Sequence, residues 1–375
     1  MTERLSVHGA PTPAASAGAF VATFVGIILI TTLLLSFDLF LARIDRRESA
    51  GHAASEYRDG VMLLAGGKAS DAVEHFAVAV SIDRGSVPYT LGLAEAMIGE
   101  DRIADAEATL KTLLDRAEND GAVNLAMARV MRRENRPSDA TAYYHRAIFG
   151  RWNQDSLVRR MEARFELIDL LAQRGAAREL LAELLPLEAT SPDSVALRRR
   201  LGQLFIEAGS PARAANMFRD VLRRDPLDVD AYAGMGEAAL AVGNFRAARA
   251  DLAEALRLRP TDARIADRLA IADTALTNDP AARGLSTSER YARSRALLRR
   301  TMAAVESCPV LSRTSLADSA RVLIAADASP RGFEPASDVM LAVASDLWTN
   351  RPAGCAVVGG ASNDVLRFLQ NRLTQ

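Results

Sequence analysis

The chain opens on its longest apolar run. No charged residue occurs over 14–37, and 17–37 reads AGAFVATFVGIILITTLLLSF. At a helical rise of about 1.5 Å per residue this run reaches roughly 31 Å, the thickness of the hydrocarbon layer of a bilayer. The pattern predicts an N-terminal tail over 1–16 and a single transmembrane helix over 17–42. A cleaved signal peptide is the competing reading. Against it, the run is long, only Arg4 precedes it as a basic side chain, and no A-x-A site follows promptly. Gly18, Ala22 and Gly26 fall four apart on one face, a spacing that lets spanning helices approach closely.

From residue 53 the apolar positions follow a helical period, and the whole pattern recurs every 34 residues. Gly60, Ala72, Phe76 and Ala79 align without a gap with Ala94, Ala106, Leu110 and Leu113, then with Ala128, Ala140, Tyr144 and Ala147. Gly202, Ala214, Phe218, Val221 and Pro226 recur as Gly236, Ala248, Leu252, Ala255 and Pro260. Between the two sets lies a looser unit with Phe165, Ala177, Leu181 and Leu184, displaced by about three residues around 150–156. Small residues allow two helices to close on each other, larger ones fill the space, and proline ends the second helix. These positions resemble the tetratricopeptide repeat family, in its membrane-anchored bacterial form. The resemblance implies an all-α fold, with a transmembrane helix followed by an α-solenoid of about six helical hairpins over 53–277. The segment 263–276 is expected to be its capping helix. Arg84 stands where the first unit would carry its terminal proline, and the fourth unit lacks the small residue at its eighth position.

Past 286 the repeat is lost while helical periodicity continues. Ser286 with Glu289 has the spacing of a capping box and opens a helix that should end at Cys308-Pro309. Further helices are predicted at about 315–326, 335–350 and 362–373, giving a small helical C-terminal domain over 286–375. Its Cys308 and Cys355 are the two cysteines of the chain and the disulfide candidates, with buried unpaired thiols as the alternative. A bridge there argues for a periplasmic domain. Arg43, Arg46, Arg47 and Arg58 after the apolar run argue for a cytoplasmic one by the positive-inside rule. The reading adopted is a single-pass protein of the bacterial inner membrane with a periplasmic domain, the cytoplasmic orientation being the alternative.

Composition removes several kinds of chemistry. Forty-six basic residues stand against 47 acidic ones, so no excess of positive charge is available for phosphate, and no nucleic-acid partner is expected. Two cysteines and four scattered histidines make no zinc-finger pattern, and no metal site is expected. The segment GMGEAA at 234–239 lies inside a predicted helix without a preceding strand, so its glycines are packing residues rather than a dinucleotide loop. No histidine follows His145 to activate Cys355. No catalytic residue and no cofactor are therefore expected.

In a solenoid of this type the concave groove is lined by positions 2, 5, 9, 12 and 13 of each unit. Those positions make Arg129, Arg132, Arg133, Arg199 and Gln203 the predicted partner-binding residues, beside Arg159, Glu162, Glu166 and Asp169. Guanidinium groups suit carboxylates and backbone carbonyls of a protein partner. Tyr57 and Val61 stand where carboxylate-gripping members of the family carry Lys and Asn, so that role is not expected. The expected function is a non-catalytic scaffold, an accessory or assembly subunit of an inner-membrane complex of bioenergetic, secretion or envelope type. Its partners would be the other protein subunits and, through the N-terminal helix, the lipid bilayer. A chaperone for exported clients and an enzyme with an unrecognised C-terminal activity are the alternatives.

Overall fold

The computed structural model describes residues 14–153, 155–190, 194–306, 314–351 and 361–373. Among the described residues there are seventeen α-helices, one 3-10 turn and no strand. The chain divides into two compact units, Met1–Leu167 and Ile168–Gln375. Cys308 and Cys355 lie outside the described residues.

In the first unit the apolar run does not end where its hydropathy ends. Helix α1, Ala14–Ala65, continues without a break through the charged stretch after Leu41. Its segment Phe24–Ala65 is long and apolar enough to cross a membrane, with a mean hydropathy of 2.4 over its apolar window. The last turns of the same helix serve as the first helix of the first hairpin. There Ala53 is buried, and Tyr57 lies 5.6 Å from the Phe76 ring and 5.1 Å from Tyr89. The unit proceeds through α2 (Ala69–Ile82), α3 (Val87–Gly99), α4 (Ile103–Leu114), α5 (Gly121–Arg133) and α6 (Pro137–Phe149) into α7 (Ser156–Gln173).

The second unit takes in the end of α7, then α8 (Ala177–Thr190), α9 (Val195–Glu207), α10 (Pro211–Arg224), α11 (Val229–Ala241), α12 (Phe245–Leu258) and α13 (Ala263–Asn278). Local chemistry repeats with the fold. Helices α3, α5, α9, α11 and α13 are capped by Ser86, Asp120, Ser194, Asp228 and Asp262, whose side chains accept from backbone N–H groups of the first turn. The turn inside each hairpin needs one left-handed residue, supplied by Gly67, Asp101, Asn135, Gly175, Gly209 and Gly243 with φ between 55° and 74°. Glycine meets this at no steric cost, and Asp and Asn are the next most tolerant residues.

These turn residues correct the sequence reading of the fourth hairpin. They recur every 34 residues except between Asn135 and Gly175, where six extra residues enter the loop after α6 and the 18-residue α7. The repeat positions of that hairpin therefore belong to the buried Ile168, Leu180, Leu184 and Leu187. Phe165, Ala177 and Leu181, which the sequence placed there, are only half-buried.

Helix closeness depends on missing side chains. A Cβ on Gly60 or Gly92 would come within 2.9 or 2.6 Å of the Phe76 ring, and one on Gly202 within 2.7 Å of Phe218. Gly234 meets Phe218 more tightly still. Because the obstacle is a buried ring held on both sides, Gly234→Ala should destabilise by about 1–3 kcal/mol through overpacking. A fall in the melting temperature followed by circular dichroism checks this, and an unchanged value would mean that the ring can move aside.

The C-terminal region consists of α14 (Thr287–Glu306), α15 (Ser315–Ala325), α16 (Phe333–Thr349) and α17 (Ala361–Leu373). The capping box forms: Glu289 N–H donates to Ser286 Oγ at 3.2 Å, and Ser286 N–H to Glu289 Oε2 at 3.1 Å. Helices α14 to α16 share a core built on Leu298, Met302, Met340, Ala344 and Leu347. Helix α17 instead packs into the core of the last repeat. Its Val365, Leu366, Phe368 and Leu369 join Leu240, Phe245, Ile265 and Ile271 in one cluster. The helix read as the cap, α13, is thus itself covered, and the core runs across the 277/286 line drawn from sequence.

Candidate partner-binding groove

Helices α9, α11 and α13 of the second unit enclose a cleft of about 720 Å³. Phe218, Leu252 and Ile265 give it an apolar lining, and Arg199, Arg200, Arg259, Arg264 and Arg268 surround it. Five guanidinium groups face three carboxylates in the lining, those of Asp230, Glu237 and Asp262.

The carboxylates hold some of these arginines in place. Asp228 caps α11 with Oδ1, 2.8 Å from the Ala231 nitrogen, and takes a hydrogen bond from Arg199 on Oδ2. Arg259 donates to Asp230 at 3.1 Å and to Asp262 at 3.3 Å. Arg268 lies 2.6 Å from Glu237 and 3.2 Å from Asp364 of α17. Arg200 reaches Asp169 at 2.7 Å on the exposed rim. Arg264 is the most open of the set, 88% exposed with Asp262 at 3.6 Å. Gln203 lines the same cleft and adds a neutral amide.

Burial pushes the Glu237 carboxyl above its ordinary value of 4.5, although Arg268 pulls the other way. A carboxyl whose pKa is raised on folding favours the folded state below its unfolded pKa. That contribution is lost as pH rises through the folded value. Relative to Glu237→Gln, the wild type should therefore lose stability as pH climbs from about 4.5 toward neutrality. Parallel melting curves across that range check it, and a constant difference would mean that Glu237 ionises as freely folded as unfolded.

The first unit arranges its polar groups differently. Arg129 on α5 donates to Glu166 with Nε at 3.1 Å and Nη2 at 2.6 Å, and to Glu162 at 3.0 Å, with Glu95 at 4.0 Å. Burial opposes its charge, yet the hydrogen bond and the three carboxylates outweigh this and raise its pKa. Tyr144 donates to Glu166 at 3.0 Å, and burial first, then that carboxylate, pushes its hydroxyl up to about 12. Arg132 bonds to the same tyrosine. Arg133 pairs with Asp101 at 3.1 Å on the exposed surface. Burial also raises the Glu95 carboxyl.

The five residues that the sequence grouped as one binding surface fall in both compact units. Arg129, Arg132 and Arg133 belong to the first unit, Arg199 and Gln203 to the cleft of the second. Sequence reasoning missed Arg200, Arg259, Arg264 and Arg268. The signal was available, because Arg264 continues the series Ala196, Asp230 at the 34-residue step, and Arg268 the series Arg200, Gly234. Treating α13 as a closing cap hid it. In α1 the stripe of Ala22 and Gly26 is open, with nothing within 4 Å of a Cβ on Gly26. The surroundings of Gly18 lie outside what the structure describes. Among the described residues no cluster of three or more metal-ligating side chains could hold a metal ion.

Comparison with known proteins agrees with the hairpins. Residues 63–130 and 199–263 match two family models, each described as tetratricopeptide repeat. The chain carries tetratricopeptide repeats. No curated protein matches it. Among solved structures it is similar to PilW, a widely conserved type IV pilus biogenesis factor, at 19% identity over 58% of this chain and 96% of that one, with a TM-score of 0.41. It is also similar to pilF of Pseudomonas aeruginosa, at 14% identity over 60% and 99%, TM-score 0.43. A repeat-containing protein from Cytophaga hutchinsonii gives 14% identity over 65% and 94%, TM-score 0.46. Tetratricopeptide repeats are protein-interaction modules, and the chain is accordingly a protein-interaction scaffold.

Proposed function

We propose that this chain is a non-catalytic, membrane-anchored scaffold, an accessory or assembly subunit of a multi-subunit inner-membrane complex, with its repeat domain in the periplasm. The observation that carries the reading is the cleft of α9, α11 and α13, where an apolar lining is bordered by five guanidinium groups, that of Arg264 open to solvent. Such a site suits a partner segment that brings carboxylates for Arg200 and Arg264 and one apolar side chain for the surface of Phe218, Leu252 and Ile265. Anchoring by α1 supports a membrane complex as the partner, since it confines the cleft to two dimensions and raises its effective concentration toward membrane proteins.

The test is extraction of the full chain in mild detergent, followed by mass spectrometry of the intact assembly. The wild type should carry partner subunits at fixed stoichiometry, and Arg200→Glu with Arg264→Glu should lose them without a change in melting temperature. Identical assemblies from wild type and variant would remove the cleft as the docking site. Variable, substoichiometric clients would favour the chaperone reading. A reporter fused after Gln375 decides the side of the membrane.

A further inference from the structure

The edge of the first unit that holds the loops between hairpins carries an apolar patch with no counterpart in its neighbours. Phe149 ends α6, and Leu157 and Val158 lie in the first turn of α7. Their exposures are 76%, 71% and 64%. Arg151, Arg159 and Arg160 surround them, all exposed, with Asp155 as the nearby acid and Glu162 paired to Arg159. The other two loops of this edge, 83–86 and 115–120, read DRGS and DRAEND, with Ala117 as their one apolar side chain.

Backbone hydrogen bonds establish that these loops share an edge. Gly121 N–H donates to the Arg151 carbonyl at 2.7 Å, and Arg151 N–H to that of Asn119 at 2.8 Å. Arg116 reaches the Arg84 carbonyl at 3.3 Å, and Arg160 the Gly150 carbonyl at 3.0 Å. The edge consists of the N-terminal ends of α3, α5 and α7. Because α1 forms the corresponding first helix of the first hairpin, its N-terminal continuation, the apolar span, projects from this same edge.

Along α1 the end of the apolar run near Ala42 and the first buried residue, Ala53, are separated by about 16 Å at 1.5 Å per residue. Three helix-pair steps of about 10 Å place α7 roughly 30 Å to the side of α1. Spanning helices tilt by about 20° on average, and a tilt toward the array lowers a point 30 Å out by about 10 Å. The loop of α6 and α7 then stands about 6 Å above the hydrocarbon, within the headgroup layer.

We propose that Phe149, Leu157 and Val158, together with Arg151 and Arg160, form a second membrane contact that rests the loop edge of the first unit on an anionic lipid surface. The proposal depends on α1 being a membrane anchor. Apolar side chains enter the interface while guanidinium groups meet lipid phosphates, an arrangement known from interfacial helices. With two points of attachment the array would hold a fixed orientation over the bilayer.

The experiment compares backbone hydrogen exchange of the full-length protein in phosphatidylglycerol-containing vesicles, in phosphatidylcholine vesicles and in detergent micelles. Amides of 149–160 should exchange several-fold more slowly in the phosphatidylglycerol vesicles than in the micelles, with a smaller effect in phosphatidylcholine. Leu157→Glu with Val158→Glu should abolish the difference while exchange in α3 and resistance to carbonate extraction stay unchanged. Equal exchange in vesicles and micelles for a carbonate-resistant wild type would overturn the proposal and leave the anchor standing. Protection that survives in the double variant would overturn it as well. Equal protection in both kinds of vesicle would overturn the role of the arginines. Release of the wild type by carbonate would overturn the anchor and this contact with it.

Discussion

Removal of residues 1–45 should leave a soluble protein that keeps the helical content of the remaining chain. Between Phe24 and Leu41 thirteen large apolar side chains among the described residues stand 47% to 71% exposed, with nothing in the fold to cover them. Transfer of each such side chain out of water stabilises by about 1.5–3 kcal/mol, which is the force that would hold the intact chain in lipid under the proposed anchoring. The part of α1 that the first hairpin needs starts later. Ala53 is buried, and Tyr57, Leu63 and Leu64 pack against Phe76, Ala72 and Ala96. Truncation therefore leaves that core intact. Ultracentrifugation and far-ultraviolet circular dichroism of the truncated protein check the expectation. Aggregation or a loss of helix signal would mean that the repeat domain depends on the span for its folding.

The continuity of α1 could not be read in advance for a physical reason. The stretch after Leu41 is rich in charge and turns polar all round, which in isolation argues for a break, and only the packing of Ala53 and Tyr57 carries the helix through it. The hairpins were legible because small and large residues alternate at fixed intervals, and Gly202 or Gly234 against Phe218 needs no information beyond its own and the adjoining hairpin. The fourth hairpin was placed about three residues early because the insertion of six residues lies in α7 and the loop before it, where no glycine marks the shift until Gly175. Helix limits in the C-terminal region were close, since caps and prolines are local signals. The return of α17 to the core of the last repeat was not visible, because Arg268 and Asp364 are 96 residues apart.

The binding site was half legible for a related reason. Position in the repeat tells which arginines point toward a groove, but the availability of their charge depends on carboxylates that lie a full repeat away. Arg129 and Glu166 are 37 residues apart, Arg199 and Asp228 are 29. Arg264 has the same chemistry and no such commitment, at 88% exposure. Two arginines on equivalent faces are thus expected to respond in opposite ways to the same substitution.

Arg129→Glu should lower stability by about 2–3 kcal/mol, whereas Arg264→Glu should change it by less than about 0.5 kcal/mol and weaken partner binding instead. Arg129 is paired with all three of Glu95, Glu162 and Glu166, and at 32% exposure its ion pairs are only partly screened by water. Its replacement by glutamate removes the bidentate contact with Glu166 and brings a fourth carboxylate into the cluster. Repulsion of this kind is relieved by protonation. The deficit of Arg129→Glu should therefore shrink as pH falls, helped by Glu95, whose carboxyl burial already holds above its ordinary value. Melting curves of the detergent-solubilised full chain, recorded at neutral and acidic pH for wild type and both variants, provide the measurement. If Arg129→Glu melts like the wild type while its assembly loses partners, the donors of Arg129 are free to leave Glu166, and the residue belongs to a binding surface as its repeat position first suggested.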